Sequence, residues 1–386
     1  MVNATTLYLR ERSLTMAATM TKTFDFHAFV DEVFGPRQCD VFLILVDEPN
    51  RETDYNPAWR ERHKLASEWS DNLADIANTV GFTLLPMLTF KAVSDSNAEL
   101  PEKAIQVGET VTLRDELEKA TVVIAMTEVS VTGPLMQIAR KRGDASEFRV
   151  ASMPLANRSM ESTCLLADHR RMVERGNFLL DYLRGAETAV VEFTTGDVCE
   201  FDLRFRQAGA DNGYLHADKQ GEAFINLPSG EVWIVPYEGE IPGEKSRTEG
   251  VIPVYGDDGQ IARFVVNENR VVEVEGDNQL TIDLREELAL DPARRNVGEI
   301  AFGYNEAAVV SGLFIEDEKA GFHWGYGRSE FLGGTVGPES FRHPDTVLHR
   351  DLPYAKDCPI TVSVALRYPS GKVAHIIESG EYLLWD

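Results

Sequence analysis

Five residues in the second half of the sequence carry side chains that bind divalent metal ions in proteins: Glu231, Glu299, His323, His349 and Asp351. Four of them lie in a stretch rich in short β-type segments, and the fifth lies upstream in NLPSGEVWIVP. Carboxylates and imidazoles are the usual ligands of ions that activate water for hydrolysis. The sequence therefore suggests a hydrolytic metal site, with the alternative that these are ordinary polar residues of an acidic chain.

Each of these residues also has a structural interpretation. Glu231 follows a Ser-Gly pair and, by itself, is typical of a turn. Glu299 lies in an otherwise apolar strand, where an unpaired carboxylate is costly, which favours either a ligand or a salt-bridge partner. His323 lies between two aromatic residues and could be a core histidine. The spacing of His349 and Asp351 puts both side chains on one face of a strand, where they could bind an ion or pair with neighbouring arginines.

The bulk composition describes a folded, acidic protein with no affinity for polyanions. The chain has 386 residues, 43% of them hydrophobic and 26% charged, which is enough for two domains. A net charge of −25 opposes binding to nucleic acid or to anionic membranes, so we expect neither partner. The four cysteines form no CxxC pair, and the sequence contains neither a membrane-spanning apolar stretch nor a signal-peptide pattern. We therefore expect a cytoplasmic protein.

Strands alternate with helices in the first half of the sequence. Apolar runs predict strands at 41–46, 82–90, 121–126 and 148–153. Helical spacing of apolar residues predicts helices at 24–34, 57–80, 113–120, 134–141 and 161–184. This alternation implies a doubly wound parallel α/β domain. No glycine-rich phosphate-binding motif follows any of the strands, so nucleotide binding has no support.

The pattern changes after Gly185. Alternating runs such as TAVVEFTTGDVCEFDLRF and PITVSVALRYPSGKVAHII are separated by turn residues, which predicts antiparallel hairpins. The predicted fold class is therefore α/β, with an N-terminal doubly wound domain followed by a β-rich α+β metal-binding domain. We expect a disordered extension at 1–23, the α/β domain at 24–186 and the β-rich catalytic domain at 187–386.

Four stretches of the second half resemble, in order and approximate spacing, the thermophilic-type metallo-aminopeptidases, a family of two-metal exopeptidases. These stretches are NLPSGEVWIVP, RRNVGEIAFGYN, EDEKAGFHWGYGRS and HRDLP. The resemblance implies hydrolysis of an N-terminal peptide or amide bond by a water that two zinc, cobalt or manganese ions activate. It implies a homodimer and assigns the metal ligands to Glu231, Glu299, His323, His349 and Asp351.

The sequence departs from the family at Glu330. The family carries a tyrosine seven residues after the first metal-binding histidine, where its hydroxyl stabilises the transition state, and Glu330 stands at that position. A carboxylate replaces a hydroxyl donor only when it is protonated, so this part of the mechanism does not carry over unchanged. The candidate catalytic residues are Glu231, Glu299 and Glu330.

Two further interpretations stay open. The related 2,5-dihydroxypyridine dioxygenases share the terminal His-x-Asp and bind iron(II) through two histidines and one carboxylate. Their additional histidine falls at Glu299, although His323, His349 and Asp351 could form a triad of their own. The loss of the tyrosine also permits a diverged binding or tailoring protein of the same fold. Retention of all five candidate ligands argues against a metal-free binding module.

Overall fold

The computed structural model of the protein describes residues 23–93, 98–142, 148–218, 223–256 and 258–385. Apart from its last residue, the extension predicted at 1–23 lies outside the described residues. The helices are α1 Phe26–Phe34, α2 Pro57–Val80, α3 Leu113–Lys119, α4 Thr132–Arg142, α5 His169–Leu183, α6 Gln279–Leu290 and α7 Phe314–Asp317. Within these ranges, no helix is both long enough and apolar enough to cross a membrane.

The first sheet is mainly parallel and is buried on both faces. Its strands are β1 Val41–Glu48, β2 Thr83–Leu84, β3 Leu88–Lys91, β4 Lys103–Gln106, β5 Glu109–Thr112, β6 Val122–Thr127, β7 Arg149–Pro154 and β11 Phe224–Asn226. They follow the order β11-β7-β6-β1-β3-β4-β5, and β2 pairs with β1. Phe42 and Ile44 pack into one apolar core and Leu43 and Leu45 into another, which explains the unbroken apolar run of β1.

Two elements of the first half differ from the sequence-based expectations. The single strand expected at 82–90 is two short strands, β2 and β3, with Pro86 between them, because proline has no N–H to donate to a ladder. The long helix expected at 161–184 begins only at His169. Asp168 caps that helix by accepting a hydrogen bond from the Arg171 amide at 3.0 Å, and two short 3-10 segments precede it.

Apart from β11, the strands of the second half form two antiparallel sheets, as the hairpin pattern predicts. The smaller sheet has the order β10-β12-β16-β17-β18, formed by Gly209–Asp211, Glu231–Ile234, Val297–Gly303, Phe322–Gly327 and His349–Pro353. The larger sheet has the order β15-β14-β13-β9-β8-β19-β20-β21, formed by Arg270–Glu275, Ile261–Asn267, Glu249–Tyr255, Val198–Asp202, Thr188–Phe193, Val362–Arg367, Val373–Glu378 and Glu381–Tyr382. The α/β-plus-β-rich fold class is thereby confirmed.

A large apolar core lies against one face of the smaller sheet. Trp324 and Tyr326 of β17 both pack edge-on against Phe264 of the larger sheet, at ring-centroid distances of 5.9 and 5.7 Å. Because side chains alternate along a strand, His323 and Gly325, which precede these two aromatic residues, lie on the opposite face. That opposite face carries the candidate metal ligands.

The chain does not separate cleanly at residue 187. Strand β11 comes from the second half, yet it pairs in parallel with β7 at the end of the first sheet. The domain limits 24–186 and 187–386 therefore stay a prediction.

Candidate metal centre

The smaller sheet brings all five predicted ligands to one face. Glu299 and Asp351 both pair in register with Gly325, one on each side of β17, and His349 pairs with Gly327. His323 lies two residues before Gly325 on the same face, and Glu231 begins β12 opposite Gly303. The ligand atoms of Glu299, His323 and Asp351 all lie within 4.8 Å of one another. The spacing of two residues between His349 and Asp351 thus places both side chains on one face of a strand, as the sequence predicts.

Gly325 makes this convergence possible. A Cβ atom at that position would lie 2.5 Å from Oδ1 of Asp351 and 3.1 Å from Cε1 of His349. Any side chain there would occupy the space that the two ligand side chains share. Gly325, the first glycine of HWGYG, is therefore required because the side chains of Asp351 and His349 approach its backbone closely.

His349 lies between two carboxylates, the buried Glu299 and the partly buried Asp351. Its Nε2 atom lies 3.1 Å from Oε2 of Glu299 and 3.1 Å from Oδ1 of Asp351. Its Nδ1 atom lies 2.6 Å from the carbonyl oxygen of Arg328, which can only accept, so Nδ1 carries a hydrogen. A ring fixed in this way by a backbone carbonyl is the common arrangement of metal-binding histidines.

Burial and charge shift the titration of this group of side chains. Burial lowers the pKa of His349, but the carboxylates of Asp351 and Glu299 outweigh it and raise that pKa well above its usual range. Burial raises the pKa of Glu299. Burial also acts to raise the pKa of Asp351, but the charge of His349 prevails and lowers it. Without an ion, His349 is thus the cation between two acids.

The second part of the cluster is centred on Lys319, which the sequence analysis does not single out. Lys319 is fully buried, and its Nζ atom lies 2.6 Å from Oε1 of Glu231 and 2.8 Å from Oε1 of Glu318. Oε2 of Glu231 lies 3.7 Å from Nε2 of His323. Glu231, Glu318 and His323 also have ligand atoms within 4.8 Å of one another.

The three consecutive acids that end at Glu318 would by sequence alone be interpreted as a solvated turn, and the structure contradicts this. Glu316, Asp317 and Glu318 are all buried. Asp317 accepts hydrogen bonds from the Ser311 and Gly312 amides, and Glu318 pairs with Lys319. Folding alone brings these partners into contact with the acids, so the sequence of the run by itself suggests solvent exposure.

Gly303 explains why this segment reaches the centre. A Cβ atom there would lie 2.2 Å from the carbonyl oxygen of Glu318 and 2.8 Å from Cα of Lys319. The backbone at Glu318 and Lys319 therefore lies directly against the sheet, opposite Glu231.

Asp211 is a further acidic neighbour that the sequence gives no signal for. It pairs in register with Glu231 on strand β10 and is buried. Burial raises its pKa to about 7. Its Oδ2 atom accepts a hydrogen bond of 2.9 Å from the Asn226 amide of β11.

Glu330 lies beside the cluster. Both of its carboxylate oxygens accept hydrogen bonds from Nε of Arg328, at 2.9 and 2.8 Å, and its side chain is 31% exposed. Its link to the cluster runs through Arg328, whose carbonyl oxygen accepts from His349. A catalytic role for Glu330 stays a prediction.

The residues present fit a divalent ion. Two imidazoles and several carboxylates converge on one buried face, the donor types that zinc, cobalt, manganese and iron ions use. Within the described part of the chain, the buried Nδ1 atom of His323 has no hydrogen-bond partner, which is uncommon for a buried polar atom. All four cysteines are free, three of them buried, in agreement with the absence of a CxxC pair.

Comparison with known proteins identifies relatives by fold alone. No protein-family profile matches the sequence, and no curated protein matches it either. The structure is similar to 2,5-dihydroxypyridine dioxygenase from Pseudomonas putida KT2440, with a TM-score of 0.63 and 14% identity over 93% of this chain and 95% of the other. It is also similar to AmpT from Thermus thermophilus, an aminopeptidase, with a TM-score of 0.54 and 15% identity over 90% and 95%. Both relatives named by the sequence resemblance thus share the fold.

Proposed function

We propose that the protein is a metal-dependent hydrolase that releases N-terminal residues from small peptides or cleaves a related amide bond. The observation that supports this best is the cluster of two imidazoles and two carboxylates formed by Glu299, His323, His349 and Asp351, of which the first two are buried and the other two partly buried. A zinc-, cobalt- or manganese-class ion held there would lower the pKa of a bound water and polarise the scissile carbonyl.

The number of candidate ligands favours hydrolysis over oxygenation. Four side chains would hold the ion more fully than three, while a water and the carbonyl oxygen of an amide could still bind to it. Non-haem iron oxygenases hold their ion with two histidines and one carboxylate, which leaves more positions for an aromatic substrate and O₂. Glu299 is buried, and its Oε2 atom lies 3.1 Å from Nε2 of His349. It is the additional carboxylate that distinguishes this site from one with two histidines and one carboxylate.

Residues around the cluster orient the proposed ligands. The Arg328 carbonyl oxygen fixes the His349 ring so that Nε2 faces Glu299 and Asp351. Phe331 packs edge-on against the same ring at 5.0 Å and restricts its rotation. The ligand set is therefore preorganised, which lowers the entropic cost of binding an ion and a substrate in a productive geometry.

The proposal is tested by metal analysis together with peptide hydrolysis. Protein purified without chelators is expected to contain a zinc-, cobalt- or manganese-class ion and to release amino acids from unblocked peptides. The same peptides with acetylated N-termini are the matched substrate control, because an aminopeptidase acts on a free α-amine. Metal binding without hydrolysis of any peptide or amide in the panel would contradict the proposal.

A ring-cleaving iron dioxygenase is the second candidate. The structural match with the higher TM-score is a 2,5-dihydroxypyridine dioxygenase, and His323, His349 and Asp351 supply two histidines and one carboxylate. This candidate predicts iron in the protein and oxygen uptake with a dihydroxylated pyridine. Oxygen uptake without peptide hydrolysis would establish it in place of the hydrolase.

Assembly and location remain proposals from the sequence resemblance. We expect a homodimer, which light scattering of the purified protein tests directly. We also expect a cytoplasmic protein whose substrate is a small peptide or amide, with neither nucleic acid nor membrane as a partner.

A further inference from the structure

We propose that the ammonium group of Lys319 occupies the place of a second metal ion, so that the centre binds a single ion at Glu299, His323, His349 and Asp351. This inference rests on the metal centre of the proposed function and concerns the number of ions it holds. It replaces the two-ion expectation that the sequence resemblance implies, and it removes Glu231 from the ligand set.

The first argument is the position of the lysine. Its Nζ atom is within hydrogen-bond distance of one oxygen of Glu231 and one of Glu318, at 2.6 and 2.8 Å. A metal ion bound to those oxygens would lie at about 2.0–2.2 Å from each of them. The ammonium group already occupies the space beside those two oxygens, and its positive charge would repel an ion placed there without offering it a ligand.

The second argument is that this position is built into the fold. The missing side chain at Gly303 lets the backbone of Glu318 and Lys319 lie against the sheet. The Lys319 carbonyl oxygen accepts a hydrogen bond of 3.0 Å from the Asn305 amide, and its amide donates at 3.0 Å to the Glu316 carbonyl oxygen. The backbone on both sides of the lysine side chain is therefore fixed, and the side chain is completely buried.

The third argument is charge. Glu231, Glu318 and Asp211 form an acidic group, and the buried ammonium provides a compensating charge at its centre. The group around Glu299 and Asp351 instead has an imidazole, His349, between its two carboxylates. An imidazole nitrogen can bind a metal ion, whereas an ammonium group has no lone pair to offer.

A role for Glu231 follows. With Oε1 held by Lys319, its other oxygen lies 3.7 Å from Nε2 of His323, one of the proposed ligands. Glu231 is thus positioned to accept a proton from a water bound to that ion, as a general base.

Metal counting on the folded protein tests the proposal without an activity assay. The metal-depleted protein is equilibrated with excess Mn²⁺, desalted and analysed for bound metal. We expect one equivalent in the native protein, with the electron paramagnetic resonance spectrum of an isolated ion. Two equivalents with a spin-coupled spectrum would overturn the proposal, and no bound metal would instead refute the metal centre of the proposed function.

Matched variants locate the ion. Lys319→Met removes the charge at similar length and should raise the count from one to two, whereas Lys356→Met, at a half-exposed lysine, should leave it at one. A count that stays at one in Lys319→Met would overturn the role of the ammonium. If that variant does not fold, Glu231→Gln and Glu299→Gln decide the matter, because only the second should lose the ion. Loss of the ion in Glu231→Gln would overturn the proposal.

Discussion

The two halves of the centre contain similar acids and different cations. In one half, Glu231 and Glu318 share Lys319, and in the other, Glu299 and Asp351 share His349. Lys319 is fully buried and His349 is partly buried, and both lie between carboxylates. The lysine keeps its charge under all ordinary conditions, whereas the histidine can exchange its proton for a metal ion. We therefore call the half around Lys319, Glu231 and Glu318 the permanent half. The half around His349, Glu299 and Asp351 is the exchangeable half.

The largest expected effect comes from breaking the exchangeable half. His349→Ala should lower peptide hydrolysis by more than the roughly 10–100-fold that loss of an outer-shell partner typically costs, because it removes a ligand itself. Circular dichroism should show a retained fold. His375→Ala, at an exposed histidine, is the matched control and should keep full activity. Native turnover in His349→Ala would disprove the assignment.

Breaking the permanent half should affect stability. In chelator, Lys319→Met leaves two carboxylates buried without their cation, and removal of one partner from a buried pair costs about 3–5 kcal/mol of unfolding free energy. Urea titration measures this cost. Lys356→Met removes a lysine 3.6 Å from Glu381, both well exposed, and should cost no more than about 1 kcal/mol. Equal losses in the two variants would contradict the importance given to Lys319.

The two halves should also differ in their response to pH. The raised pKa of His349 means that the metal-free folded protein holds this proton more tightly than the unfolded chain. Its contribution to stability is complete below the ordinary histidine pKa of about 6.5 and is lost as pH rises through the higher folded value. Urea titrations in chelator across this range should show the decline, and His349→Gln should flatten it. An unchanged slope in the variant would rule out His349 as the source.

The smallest effect is expected at the edge of the centre. Glu330 pairs with Arg328 at a partly exposed position, so Glu330→Gln should change the unfolding free energy by no more than about 1 kcal/mol. We expect metal content to stay unchanged, because the contacts of Glu330 reach the cluster only through Arg328. A fall in turnover at unchanged metal content would establish the catalytic role predicted for Glu330.

The exchangeable half is predictable from the sequence, whereas in the permanent half only Glu231 is. His349 and Asp351 are spaced for one strand face, and a glutamate in the apolar run GEIAFG needs a partner. Lys319 has no such signal, because a lysine in an acidic run normally indicates solvent exposure. Its burial depends on Gly303, a position sixteen residues earlier on a neighbouring strand. Contacts of this kind arise from tertiary packing and leave no periodic pattern.

Strand β11 also depends on a tertiary contact that the local sequence does not predict, here between segments much further apart in the chain. The three residues FIN are too short to be recognised as a strand, and their parallel pairing with β7 spans more than seventy residues of sequence. The α/β class is predictable because alternating elements have local patterns. The strand that completes the sheet is not predictable, because no local pattern encodes its partner.

Strand β11 also couples the unfolding of the first sheet to that of the smaller sheet. Through β7 it belongs to the first sheet, and the Asn226 amide donates to Asp211, which lies beside Glu231 in the smaller sheet. Separating the two sheets would break both connections, so we expect a single cooperative transition. A fragment ending near Arg184 would lack β11 and leave the backbone of β7 as an open edge. Such edges recruit strands from other chains, so that fragment should aggregate.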